Sequence, residues 1–234
     1  MKLFIDDADI EKIRAIYRFY PCDGVTTNPS ILAKSGRKPY EVLKEIREWI
    51  GMDAALHVQV VSDTADRMVQ EGRKIVSVLG ENTYVKIPTV EEGLKAIQQL
   101  SSEGYRITAT AIYTPMQAYL AAKAGADYVA PYVNRMDNLG VNGIETVKKI
   151  QNILENNGFK TQILAASFKN TQQVLELCEY GVGACTVAPD IISGFLKNAN
   201  VSSAVEAFQR DFYDLCGAGK TMLDCDAGID CVGN

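Results

Sequence analysis

Short apolar runs alternate with longer amphipathic stretches along most of the chain. The apolar runs are nearly continuous in hydrophobicity, which is typical of parallel strands buried on both faces. The longer stretches carry apolar residues at helical spacing, and several begin at a capping residue or proline and end near a glycine. We predict eight strands at residues 3–6, 24–27, 55–61, 83–87, 107–111, 128–130, 161–166 and 184–187. The clearest predicted helices are at residues 63–79, 90–102, 115–124, 143–156 and 171–180.

Eight strands alternating with eight helices indicate an α/β protein built as a single (β/α)8 TIM barrel. The 234 residues fall slightly below the roughly 250 that are typical of this fold, so no room remains for a second domain. An open doubly wound sheet is the alternative, but the turn after the first strand lacks its glycine-rich motif. We therefore expect residues 1–216 to form the barrel with a C-terminal helix at 201–215, and residues 217–234 to form a flexible or intersubunit tail.

Composition narrows the possible partners and the location. The formal net charge of -5 argues against a nucleic-acid partner, because nucleic-acid phosphates attract basic surfaces. The N-terminal sequence shows neither a signal-peptide core nor a membrane-spanning segment, so we expect a cytoplasmic protein that does not bind membranes. The chain has six cysteines without a close CxxC pair and one histidine, so we expect no metal and no cofactor.

Polar residues follow or interrupt the first seven predicted strands near their C-terminal ends. In a barrel these ends meet at one face, which is where active sites form. We therefore expect the following residues to form one site: Asp6, Thr26, Asn28, Gln59, Lys86, Thr110, Tyr132, Asn134, Arg135, Ser167 and Lys169.

Lys86 is the most informative of these residues, because it lies between Val85 and Ile87 in a strand covered on both faces. Burial disfavours its ammonium form and so favours the neutral amine. A neutral lysine is a nucleophile that forms a Schiff base with a ketone or aldehyde. From Lys86 alone, a structural ion pair with Asp6 is an equally good interpretation.

The neighbouring groups favour a catalytic role for Lys86 over a structural ion pair. Asp6 is a suitable acid–base partner, although it or Asp7 could instead cap a helix. Gln59 and Thr110 could hold a water molecule for forming and dehydrating a carbinolamine, while satisfaction by the backbone remains an alternative for both, and a stronger one for Thr110. Tyr132 follows the sixth predicted strand at the same face.

Other strand-end residues suit a phosphorylated sugar. Arg135 offers a forked guanidinium, Ser167 a hydroxyl and Lys169 a point charge, a set that suits phosphate. For Lys169, a solvated position at the start of a helix is an equally good interpretation. The remaining residues are expected to bind other parts of the substrate: Thr26, Asn28 and Asn134.

Five segments carry a resemblance to a known family. They read GVTTNPS at 24–30, VKIP at 85–88, TAIY at 110–113, APYVNR at 130–135 and AASFK at 165–169. With them the chain resembles the small transaldolase family, most closely its fructose-6-phosphate aldolase branch. The resemblance implies a barrel with a Schiff-base lysine at Lys86. It also implies a catalytic set of Asp6, Asn28 and Thr110, and a substrate phosphate on Arg135 and Ser167.

The resemblance also separates two branches of the family. Transaldolases resemble one another in having glutamate and phenylalanine where this chain has Gln59 and Tyr132, so this sequence looks like the aldolase branch. Members of that branch are similar in forming pentamers that stack into decamers, with the C-terminal helix on the adjacent subunit. We therefore expect a homo-oligomer.

The expected function is that of a cofactor-free class I aldolase acting on sugar phosphates. It would reversibly cleave fructose 6-phosphate, or a similar ketose phosphate, to dihydroxyacetone and glyceraldehyde 3-phosphate. The first alternative is a transaldolase that transfers the dihydroxyacetone unit between sugar phosphates. The second is a barrel that binds sugar phosphates without catalysis.

Overall fold

The computed structural model describes residues 1–225 and contains a closed barrel of eight parallel strands. Each strand pairs with the next one in the chain, and the eighth pairs with the first. The predicted (β/α)8 TIM barrel is therefore confirmed. The strands are β1 (Lys2–Asp6), β2 (Gly24–Thr26), β3 (Ala55–Gln59), β4 (Thr83–Pro88), β5 (Ile107–Ile112), β6 (Tyr128–Pro131), β7 (Gln162–Ala165) and β8 (Ala184–Val187).

Eleven α-helices lie within the described residues. They include the five helices that were predicted from the sequence at defined positions. The helices are α1 (Ile10–Tyr17), α2 (Pro29–Lys34), α3 (Pro39–Ile50), α4 (Ala65–Leu79), α5 (Glu91–Ser102), α6 (Pro115–Lys123), α7 (Val133–Asp137), α8 (Gly143–Asn156), α9 (Thr171–Tyr180), α10 (Pro189–Gly194) and α11 (Ala199–Cys216). Besides the helices that alternate with the strands, α2 and α7 are short additional helices in the loops after β2 and β6, and the sequence did not predict them.

The barrel wall separates two groups of buried side chains. Ile5, Val85 and Ile87 belong to the large core between the strands and the surrounding helices. Phe4 and Tyr128 belong to a smaller cluster inside the barrel. Because side chains alternate along a strand, the residue between Val85 and Ile87 faces the interior of the barrel.

Gly93 allows α5 to pack closely against the end of β4. A Cβ atom at this position would lie 1.9 Å from the carbonyl oxygen of Pro88, a distance that no side chain could occupy. The absence of a side chain therefore lets the helix support the strand end that carries the candidate reactive lysine.

The chain divides into two compact units, the first spanning Met1–Phe195 and the second beginning at Leu196. The second unit contains α11, which corresponds to the helix predicted at 201–215, and a short 3-10 helix at Met222–Asp224. The tail predicted at 217–234 lies outside the described residues from 226 onward, and its role stays a prediction. Between residues 1 and 225, no helix has the length and apolar character needed to cross a membrane.

Candidate active site

A cavity of about 1020 Å³ opens at the carboxyl ends of the barrel strands. It brings together side chains from strands that are distant in sequence, as the strand-end pattern predicted. Eight of the eleven predicted site residues line it: Asp6, Asn28, Gln59, Lys86, Thr110, Tyr132, Arg135 and Ser167.

Lys86 projects into the interior of the barrel, and its side chain is almost completely buried. Its Nζ donates a hydrogen bond to the carbonyl oxygen of Thr27 at 2.7 Å. Burial lowers the pKa of the amine, while the nearby Asp6 carboxylate opposes this shift. The ion pairs within 4 Å in residues 1–225 do not include Lys86 with Asp6, so direct pairing does not explain the lysine. The amine is thus held by a neutral carbonyl in surroundings that favour its nucleophilic form.

Asp6 ends β1 and receives a hydrogen bond from the hydroxyl of Thr26, with 2.7 Å between Oγ1 and Oδ1. The same Thr26 oxygen lies 2.6 Å from Oγ1 of Thr186. Burial raises the pKa of Asp6, and the charge of Lys86 and the Thr26 hydrogen bond act in the opposite direction. The carboxylate is therefore a stronger base than an exposed aspartate.

The helix that follows β1 is capped by neither Asp6 nor Asp7. Asp9 is the N-cap of α1, and its side chain accepts hydrogen bonds from the backbone of Glu11 and Lys12. Asp7 instead accepts from the backbone N–H of Ala8 at 2.7 Å. The capping alternative for Asp6 is therefore wrong, and its carboxylate remains available to the cavity.

Gln59 and Lys86 are register partners on the adjacent strands β3 and β4. Partners in a parallel ladder project to the same side, so the Gln59 amide lies beside the lysine in the cavity. Thr110 is fully buried on β5, and its hydroxyl lies 2.9 Å from the phenol oxygen of Tyr132. The Thr110 hydroxyl is therefore paired with another side chain of the site rather than with the backbone.

Three predicted substrate-binding residues are not among those that line the cavity, and their roles stay predictions. Thr26 is fully buried, and its hydroxyl donates a hydrogen bond to the Asp6 carboxylate. Asn134 lies in α7, where its backbone N–H donates to the Ser167 carbonyl at 2.7 Å. Lys169 is exposed just before α9, as its alternative interpretation predicted.

Asn28 has two roles in this structure. Its side-chain oxygen caps α2 by accepting a hydrogen bond from the Ile31 N–H at 2.9 Å. The side chain also lines the cavity. The amide nitrogen is therefore the part of Asn28 that is suited to bind a substrate oxygen.

Tyr113 is a cavity residue that the sequence analysis did not select. Its hydroxyl lies 3.4 Å from Nη1 of Arg135, which donates to it. The Arg135 guanidinium also lies over the Tyr132 ring, 4.5 Å from the centroid. The hydrogen bond to Tyr113 is the main cause of a raised pKa at Arg135. An aromatic residue after an apolar strand carries no sequence signal that separates this role from packing.

Ala111 and Ser167 adopt left-handed backbone conformations, with φ angles of 59° and 62°. Within residues 1–225 they are the two non-glycine residues with positive φ, and both line the cavity. Such conformations cost roughly 1–2 kcal/mol each and concentrate at functional sites. Neither could be recognised in the sequence, because alanine and serine are not the residues that usually adopt this conformation.

Comparison with known proteins gives a consistent result. The sequence model described as Transaldolase/Fructose-6-phosphate aldolase matches residues 3–224. A protein named "Probable transaldolase" from Thermodesulfovibrio yellowstonii is 39% identical, over 92% of this chain and 99% of its own length. Proteins with the same name from Aquifex aeolicus and Thermoplasma acidophilum are 40% and 39% identical, over 91% and 95% of this chain and 96% and 100% of their own lengths. The chain therefore belongs to the transaldolase/fructose-6-phosphate aldolase family.

Proposed function

We propose that this protein is a class I aldolase that reversibly cleaves fructose 6-phosphate, or a similar ketose phosphate, to dihydroxyacetone and glyceraldehyde 3-phosphate. The observation that carries the proposal is the buried amine of Lys86, whose pKa is lowered and whose Nζ contacts a backbone carbonyl. Asp6 and the Thr110–Tyr132 pair line the same cavity, so an acid–base group and a proton relay accompany the nucleophile.

The first step is formation of the Schiff base. The neutral amine of Lys86 adds to the ketone carbon, and the resulting carbinolamine takes up one proton and loses one water molecule to give an iminium ion. Gln59 is the register partner of Lys86 across the β3–β4 ladder, and in this proposal its amide holds that water. A lowered pKa at Lys86 raises the fraction of amine able to react near neutral pH.

The second step breaks the carbon–carbon bond. Asp6 takes the proton from the C4 hydroxyl, the C3–C4 electron pair moves to the iminium to form an enamine, and glyceraldehyde 3-phosphate leaves as the aldehyde. Burial raises the pKa of Asp6, which makes its carboxylate a better proton acceptor than an ordinary aspartate. The Thr26 hydroxyl, 2.7 Å away, holds that carboxylate in place.

The third step releases the three-carbon unit. The enamine takes at C3 the proton that Asp6 received, which restores the carboxylate and gives an iminium ion. Water then adds to this iminium, and dihydroxyacetone and one proton leave with regeneration of the neutral Lys86 amine. The Tyr132 phenol, 2.9 Å from the Thr110 hydroxyl, supplies a proton path within the cavity. In the aldol direction the same steps run in reverse.

The other end of the substrate fits the cavity mouth. Arg135 supplies guanidinium N–H donors, and Ser167 supplies a hydroxyl that lines the same space. Fork-shaped and hydroxyl donors together suit the oxygens of a phosphate group. This assignment favours a phosphorylated ketose over an unphosphorylated one.

Transaldolase activity is the second candidate function, and the printed names of the relatives favour it. In that reaction the enamine on Lys86 attacks another aldose phosphate instead of taking a proton. Gln59 and Tyr132 favour the aldolase, because they match the aldolase branch in the resemblance described above. A phenol at position 132 offers the proton that release of free dihydroxyacetone requires.

Borohydride trapping tests the shared Schiff-base step. With fructose 6-phosphate and borohydride we expect a reduced adduct on the peptide that contains Lys86, and none in Lys86→Met. Lys149→Met removes an exposed amine from α8 and serves as the matched control, with trapping expected to be unchanged. Trapping that persists in Lys86→Met would contradict the role of Lys86. Absence of trapping in the wild type would contradict the Schiff-base proposal and support the non-catalytic binding alternative.

A product assay separates the two enzymatic candidates. Fructose 6-phosphate is supplied alone or with erythrose 4-phosphate, and free dihydroxyacetone is measured beside the seven-carbon transfer product. The aldolase proposal requires free dihydroxyacetone without an acceptor. Transfer without this release would support the transaldolase instead.

We also propose a cytoplasmic homo-oligomer, as the sequence and the family resemblance suggest. The expected assembly is a pentamer or a decamer. Analytical ultracentrifugation of the full chain measures the assembly directly, and a monomer would contradict this part of the proposal.

A further inference from the structure

Tyr113 lies at the mouth of the cavity, one residue after the end of β5. Its side chain is partly buried and lines the cavity. The phenol oxygen accepts a hydrogen bond from Arg135 Nη1 at 3.4 Å. Its ring meets the Tyr132 ring edge-on, with 5.5 Å between the centroids and 85° between the planes. Tyr113 therefore contacts both the candidate phosphate-binding arginine and the candidate proton relay.

The two tyrosines present their hydroxyls to different partners. The Tyr132 hydroxyl meets Thr110, which is fully buried. The Tyr113 hydroxyl meets Arg135, which is exposed at the mouth. One phenol therefore faces the buried part of the site and the other its exposed part, and the edge-on contact of their rings fixes the spacing between them.

The hydrogen-bond directions leave a donor available at the mouth. Arg135 uses one face to contact the Tyr132 ring and one N–H to reach Tyr113, so it has further N–H donors for a ligand. Because the Tyr113 oxygen accepts from Arg135, its own proton is free to be donated elsewhere. A phenol O–H and a guanidinium that act side by side suit two oxygens of one phosphate.

We propose that Tyr113 is a specificity-determining residue that donates a hydrogen bond to the substrate phosphate beside Arg135. Its ring also supports Tyr132 from the side. This proposal rests on the proposed sugar-phosphate function and adds the group that recognises the phosphorylated end. It assigns preference for phosphorylated acceptors to the end of β5, in addition to the residues that follow β6 and β7.

Tyr113→Phe tests the hydroxyl while keeping the ring. In the aldol direction, with dihydroxyacetone as donor, we expect KM for glyceraldehyde 3-phosphate to rise roughly 5- to 10-fold. KM for unphosphorylated glyceraldehyde and kcat with both acceptors stay within about twofold, because the phosphate is the only part of the substrate that this hydroxyl contacts in the proposal. Tyr180→Phe is the matched control, because its phenol bonds to Asn152 at 2.6 Å outside the cavity. An equal change for both acceptors, or no change for either, would overturn the proposal.

Direct binding separates this proposal from the proposed function. Calorimetric titration with glycerol 3-phosphate and with glycerol requires no turnover. We expect Tyr113→Phe to weaken glycerol 3-phosphate binding by a similar factor and Tyr180→Phe to leave it unchanged. A wild type that binds glycerol 3-phosphate through Tyr113 but forms no adduct on Lys86 would refute the aldolase and leave this inference standing. Unaltered binding in Tyr113→Phe, beside normal trapping on Lys86, would refute this inference alone.

Discussion

Thr26→Val should shift the acid limb of the aldolase pH profile to higher pH. The Thr26 hydroxyl donates to Oδ1 of Asp6 at 2.7 Å, and this bond stabilises the ionised carboxylate. It therefore opposes the rise in the Asp6 pKa that burial causes. Valine keeps the shape of the side chain but cannot donate a hydrogen bond. The carboxylate of Asp6 is then less stable relative to its protonated form, and the pKa of Asp6 rises.

The expected size of the pKa shift follows from the single hydrogen bond that Asp6 loses. A hydrogen bond to an ionised group contributes about 1.5–3 kcal/mol, and one pKa unit corresponds to about 1.4 kcal/mol. The pKa of Asp6 should therefore rise by roughly 1–2 units in Thr26→Val. The Thr26 oxygen also contacts Oγ1 of Thr186 at 2.6 Å, and this second contact is lost in the same variant. Catalysis on the alkaline side of this limb should be almost unchanged.

The assay is kcat/KM for ketose phosphate cleavage as a function of pH, which reports groups of the free enzyme. Thr146→Val is the matched control, because its hydroxyl donates to the Asn142 carbonyl at 2.8 Å outside the cavity. We expect the control profile to match the wild type. A folded Thr26→Val protein with an unshifted acid limb would show that Asp6 is not the titrating base.

Three further substitutions test other parts of the site. Lys86→Met should raise the free energy of unfolding at neutral pH by on the order of 1 kcal/mol, because it removes a buried ionisable amine whose charged form is disfavoured. Burial lowers the pKa of this lysine, so its charge destabilises the folded protein at lower pH. This destabilisation is relieved as the pH rises toward 10.5, and the melting temperatures of the wild type and Lys86→Met should therefore converge in alkaline buffer. Tyr132→Phe should reduce release of dihydroxyacetone several-fold more than its transfer to erythrose 4-phosphate, and an unchanged ratio of the two products would contradict the branch assignment. Ser167→Gly should raise stability by about 0.5–1 kcal/mol in denaturant titrations, since glycine adopts a φ of 62° without a steric penalty.

The barrel could be predicted from the sequence because each strand is buried on both sides. Strand ends were less certain, as β3 shows. The apolar run predicted a strand through residue 61, but β3 ends at Gln59 and Val61 is 72% exposed. The helices α2 and α7 contain six and five residues, which is less than two helical turns and too few to show a hydrophobic period.

The sequence predicted which strand ends meet, but it did not predict how deep each side chain lies. Thr26 illustrates this limit. It pairs in register with Asp6 and lies on the same inner side of the wall, yet its side chain is fully buried and bonds to the carboxylate. Depth depends on the stagger of the closed sheet, which is a property of all eight strands together. Lys86 was easier to recognise from the sequence, because a cationic residue in an apolar strand is informative by itself.

The strained residues explain how Tyr132 is held against Thr110. The β5–β6 register shifts between Ala109 and Ile112, around the left-handed residue Ala111, and the Tyr132 N–H then reaches the Ile112 carbonyl at 3.1 Å. On its other side, Tyr132 pairs with Ala166, the residue before the left-handed Ser167. The backbone of Tyr132 is thus fixed by both neighbouring strands beyond the regular end of β6. Because strain of this kind persists only where the surrounding structure enforces it, we infer that the fold gives up stability at these two residues to place a phenol and a hydroxyl 2.9 Å apart.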